Sequence, residues 1–168
     1  ASNRGYIWSR TFPLLRDAIF IGYGPDTFAA HFPNHDYLGK LKVWRNVGAV
    51  MEKLHNLYLQ IFFNSGLISL LAILTLFAAF LSESAKLYWN CGFTELAEIS
   101  GVAIFFAIIG YLVAAIFNDS VVAVAPVFWG LLGLGIAVNR MVIAERATKS
   151  GKKEESASIQ TEEQRAMS

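Results

Sequence analysis

Residues 57–81 read LYLQIFFNSGLISLLAILTLFAAFL, a run without a single Lys, Arg, Asp or Glu. About 20 such residues in a helix cross the hydrocarbon core of a bilayer. Two further charge-free runs follow, Ile99–Phe117 and Val121–Val138. Each is near that length. The chain has 168 residues, 55% hydrophobic and 16% charged, and its charges all lie outside these runs. The composition therefore predicts an all-α membrane protein with three transmembrane helices, at 57–81, 99–117 and 121–138. The joint Asn118-Asp119-Ser120 is so short that the second and third spans must form a hairpin, and Asp119 or Ser120 is placed to cap the third. Pro126 either kinks that helix or marks its true start, which would leave Ser120–Ala125 irregular.

Three regions follow. Residues 1–56 form a long region before the first span, 57–139 the membrane region, and 140–168 a charged tail without aromatics, expected to be largely disordered past Lys149. The first residues, Ala-Ser-Asn-Arg, supply neither an initiator Met nor the apolar stretch of a signal peptide. The expectation is the C-terminal piece of a longer multi-spanning protein. Cys91 is the lone cysteine, so no disulfide framework exists, and a net charge of +1 does not point to nucleic acid.

Between Arg4 and Ile19 the apolar residues Ile7, Trp8, Phe12, Leu14, Leu15, Ala18 and Ile19 share one helical face, with a kink expected at Pro13. This amphipathic helix suits either the membrane interface or a protein surface. Gly22-Tyr-Gly-Pro25 is a turn signal. The tail carries Arg140, Arg146, Lys149, Lys152 and Lys153, and the region before the first span carries Lys40, Lys42, Arg45 and Lys53. With three spans only one cluster can be cytoplasmic; the denser one assigns the tail to the inside and residues 1–56 to the outside. The outer basic residues are then candidates for holding an anion.

Four groups can carry chemistry. His55 stands at the mouth of the first span, where it either anchors the helix end or moves a proton near neutral pH. Asn56, Gln60 and Asn64 form a polar stripe that lines a cavity or pairs with other helices. Asn56 as N-cap would leave His55 outside the helix phase, beside the mouth of that cavity. Arg4 lies in or just before the apolar face, where a cation needs a partner, and a guanidinium there can bind phosphate through two parallel bonds. Arg10 and Arg16 read as solvated or snorkelling. His31 and His35 have the spacing of a metal pair, but Pro33 interrupts the helix that such a pair requires.

The ordered set Arg4-Gly-Tyr-Ile-Trp8, Gly22-Tyr-Gly-Pro-Asp-Thr-Phe28, His55-Asn-Leu-Tyr-Leu-Gln60 with Gly66-Leu-Ile, Phe117-Asn-Asp-Ser120 and Pro126-Val-Phe-Trp129 resembles the O-antigen ligase and polysaccharide polymerase superfamily, in its Gram-positive-type members. Leu54 departs from the pattern, since many relatives have Pro before the His-Asn pair. The resemblance implies a multi-pass enzyme of the bacterial cytoplasmic membrane, active on its outer side in cell-envelope biogenesis. Such an enzyme transfers a glycan from a polyprenyl (undecaprenyl) diphosphate carrier to a sugar hydroxyl on a glycan or lipid-linked acceptor. The resemblance implies no cofactor and no metal. It assigns catalysis to His55 and Arg4, and Asn56 beside them is expected at the substrate. It also implies upstream helices with a second arginine, so that these residues alone are expected to be inactive. The competing expectation is a non-enzymatic membrane protein, such as part of a polysaccharide or lipid transporter, for which broken helices at mid-membrane would argue.

Overall fold

The computed structural model describes residues 3–46 and 48–166. All regular structure among them is helical: α1 Arg4–Thr11, a 3-10 turn Leu14–Arg16, α2 Phe28–His31, α3 Tyr37–Trp44, α4 Leu57–Tyr88, α5 Leu96–Ala114 and α6 Ala125–Ala166. Three of these, α4, α5 and α6, are long and apolar enough to cross a membrane. The chain divides into two compact units. One comprises Ala1–Ala79 with Ile109–Phe128, the other Phe80–Ile108 with Trp129–Ser168.

The first unit holds the polar N-terminal region. The helix expected from Arg4 to Ile19 breaks near Pro13, into α1 and the 3-10 turn. Its buried face is Ile7, Thr11, Leu15 and Ala18, whereas Phe12 is exposed and Trp8 packs inward. Ile7 and Leu15 join Phe28, Phe32, Met51, Leu54 and Phe63 in one core. Each such buried side chain contributes about 1.5–3 kcal/mol. Phe63 of α4 meets Phe28 edge-on at 5.2 Å, which ties the membrane helix to the polar region. Arg10, expected to be solvated, pairs with Asp36 at 2.8 Å. Asp36 also accepts the Tyr6 hydroxyl and, as N-cap of α3, the Gly39 N–H.

The first span differs from its expected form. α4 is interrupted at Gly66 (φ 81°, ψ 177°), a conformation open essentially to glycine alone. The uninterrupted stretch 67–88 is about 33 Å long at ~1.5 Å per residue, enough to span by itself. The backbone groups freed at the break are taken up by the Gly22 turn. Tyr23 N–H donates to Phe63 C=O at 2.7 Å, Gly24 N–H to Asn64 C=O at 3.0 Å, and Leu67 N–H to Ile19 C=O at 2.7 Å. A Cβ on Gly22 would run into the Asn64–Ser65 backbone, and one on Gly66 into the Phe20 carbonyl. These two glycines let the strands of backbone touch.

α5 starts at Leu96 and α6 at Ala125, so Pro126 occupies the first turn of α6, where its missing N–H costs nothing. Asp119 and Ser120 therefore cap neither helix. In the second unit a buried polar network sits among apolar side chains such as Phe80, Ile108 and Val142: Tyr88 Oη donates to Asn139 Oδ1, and Asn139 Nδ2 to Ser84 Oγ, both at 2.8 Å. The tail also departs from expectation. α6 runs on to Ala166, because residues rich in Ala, Glu, Lys and Gln extend a helix already nucleated by the span.

Candidate active site

The site is built on the N-terminus of α4. Asn56 Oδ1 accepts the Leu59 N–H at 2.9 Å, the expected N-cap, and its Nδ2 donates to Ile116 C=O at 2.8 Å. Leu57 N–H donates to Ala115 C=O at 2.9 Å and Tyr58 Oη to Leu112 C=O at 2.8 Å. Carbonyls at the end of α5, which have no partner within a helix, are thus satisfied by the start of α4. Asn56 is buried, with both ends of its amide engaged. It holds the backbone beneath His55.

His55 precedes this cap with φ 51°, a left-handed conformation uncommon for a residue with a Cβ, though histidine tolerates it better than most. Two anchors impose it. Asn56 is fixed by the cap on one side. On the other, Leu54 is fully buried and its carbonyl accepts Trp8 Nε1–H at 2.9 Å. This chain locks the turn with a buried side chain and an indole hydrogen bond.

Asp119, in the turn between α5 and α6, completes the arrangement. Its Oδ1 lies 3.1 Å from His55 Nδ1 and its Oδ2 3.3 Å from Lys53 Nζ. Burial alone would push this carboxyl up. Its own backbone N–H, Lys53 and His55 outweigh that and hold it below the usual carboxylate range. It is therefore ionised at neutral pH and only accepts. A neutral His55 must then carry its proton on Nδ1, which leaves Nε2 free to accept another. Asp119 was missed as a site residue. The available signal was a lone carboxylate between two charge-free runs, the position where an ionisable group most needs a partner.

Arg4 and His55 line one open cleft of about 510 Å³, together with Asn3, Ile7, Trp44, Val50, Met51, Glu52 and Lys53. Arg4 opens α1, and Ile7, one turn on, anchors that helix in the core. Among the described residues Arg4 has no hydrogen-bond or ion-pair partner, so its guanidinium is available to an anion. Lys40, Lys42 and Arg45 do not line the cleft. His31 and His35 are used in packing: the His31 ring lies 4.1 Å from Tyr23, and His35 stands edge-on to Tyr37. No group of three or more potential metal ligands forms among the described residues. A proton acceptor oriented by a carboxylate, facing the same space as an unpaired guanidinium, can deprotonate a hydroxyl while an anionic leaving group is held nearby.

No curated protein and no solved structure matches the chain. Residues 1–74 match the family model described as O-Antigen ligase (Wzy_C). Arg4, His55 and Asn56 all lie within the segment that is similar to the O-antigen ligase family.

Proposed function

We propose that this chain supplies the catalytic portion of a membrane glycan ligase or polymerase, with a glycan on a polyprenyl diphosphate as donor and a sugar hydroxyl as acceptor. The observation that carries the reading is the shared cleft of Arg4 and His55, with Asp119 behind the imidazole. The acceptor O–H gives its proton to His55 Nε2 as its oxygen attacks the anomeric carbon. The bond from that carbon to the diphosphate oxygen breaks, and its electron pair leaves on the diphosphate. Direct displacement of this kind inverts the anomeric centre. Negative charge grows on the departing phosphate, where Arg4 stabilises it. General-base help of this kind is typically worth ~10²–10⁴ in rate. The reaction runs on the outer side of the bacterial cytoplasmic membrane, and upstream helices of the same protein complete the donor site.

The break in α4 is the feature that would favour a transporter. Its free backbone groups, however, are closed by Ile19, Tyr23 and Gly24, so the break serves as a joint. The test is to express His55→Ala and Arg4→Ala in the complete protein, in cells lacking the native gene, and to size the surface glycan. Loss of the mature glycan in both is expected. Normal glycan in both would overturn the reading. The deletion strain separates the two activities, since unpolymerised single repeats indicate a polymerase and full-length unattached polymer a ligase.

A further inference from the structure

We propose that Lys53 is a second phosphate-binding cation of this cleft, exchanging Asp119 for an oxygen of the donor diphosphate. The inference rests on the proposed function and names a residue that the resemblance does not assign. A diphosphate esterified at both ends carries two ionised oxygens, and the cleft presents two cations, Arg4 and Lys53, against one carboxylate, Glu52.

The Lys53–Asp119 contact has the features of an exchangeable pair. At 3.3 Å it is longer than the 2.7–2.9 Å of strong charge-assisted bonds, and Lys53 is 54% exposed. Pairs of that kind stabilise little, so releasing one costs little. Asp119 is not stranded by the exchange, because His55 and its own backbone N–H still hold it. The flexible four-carbon stem of lysine lets the ammonium turn from Asp119 into the cleft without moving the backbone. The same backbone leads within two residues to His55, so a phosphate held by Lys53 is held next to the base. The basic residues further upstream lack this placement, since none of Lys40, Lys42 and Arg45 lines the cleft.

The test uses the complete protein in lipid nanodiscs, with undecaprenyl diphosphate and undecaprenyl monophosphate as probes. Wild type should bind the diphosphate more tightly than the monophosphate. Lys53→Met should weaken diphosphate binding about tenfold, equivalent to about 1.4 kcal/mol, and narrow that preference. Lys53→Arg should restore it, which a merely structural role would not require. Lys53→Gln guards against a folding defect particular to Met. If Arg4→Ala weakens binding while Lys53→Met and Lys53→Gln leave it at the wild-type value, the inference on Lys53 fails and the site stands. If neither Arg4→Ala nor Lys53→Met changes diphosphate binding, the proposed function fails with it.

Discussion

Replacing Asp119 by Asn tests the link between the carboxylate and the imidazole. The amide oxygen can still accept from Nδ1, so the geometry survives while the charge is lost. In the proposed transition state His55 has gained a proton, and the resulting imidazolium would sit 3.1 Å from the carboxylate. Two unit charges at that separation attract by about 1 kcal/mol in a water-like medium and about 5 kcal/mol at an effective dielectric of ~20. His55 is 47% exposed and Asp119 13%, which places the pair toward the wetter limit. A loss of about 2 kcal/mol follows, a fall in kcat of about thirtyfold. The Asn amide can also turn its NH₂ toward Nδ1 and favour the wrong tautomer, which adds to the loss. The assay is steady-state glycan transfer by the complete protein with lipid-linked donor, with kcat and KM separated. Asp119→Asn in a His55→Ala background should cost almost nothing more, because the carboxylate acts through the histidine. A single variant with kcat within twofold of wild type, or a double variant whose losses multiply, would refute the linkage.

Other consequences concern the frame around the site. Gly66→Ala places a Cβ against the Phe20 carbonyl at a φ that alanine does not tolerate, and should cost several kcal/mol; folded yield and thermal midpoint in detergent check it. The Asp36 carboxyl is held below its usual range by the Gly39 N–H, then the Tyr6 hydroxyl and Arg10. Its folded value is thus below its unfolded one, so its contribution is present above the ordinary carboxylate pKa and fades as pH falls through the lowered value. Fluorescence of Trp44, which packs on Tyr6, should therefore report loosening only in acid, and Asp36→Asn should remove that step. Ser84→Ala leaves Asn139 Nδ2 short of its partner and should cost about 0.6–1.7 kcal/mol in thermal stability with kcat unchanged. A large fall in kcat there would extend the machinery beyond the cleft.

The parts of this protein legible in the sequence are those governed by local physics. Charge-free runs announce the three spans, since lipid tolerates little else. Asn56 reads as a cap because it precedes an apolar helix by one residue, and that reading correctly freed His55 from the helix phase. Arg4 looked misplaced on an apolar face because it opens α1 at a cleft and has no partner among the described residues. Pairings across long separations were not legible. The break at Gly66 depends on backbone bonds to Ile19, Tyr23 and Gly24, more than forty residues earlier, and hydropathy averages over it. Asp119 looked like a helix cap because its partner, His55, lies 64 residues away in sequence. The bond from the Asn56 amide to Ile116 C=O, 60 residues on, was equally out of reach of the sequence.

The central claim is that His55 takes the acceptor proton in a cleft that also holds the leaving group. Its most direct test is the initial rate of glycan transfer by purified, folded His55→Ala, measured at saturating donor and acceptor. The account predicts a fall in kcat of about 10²–10⁴ with donor binding retained. A kcat within twofold of wild type would contradict it.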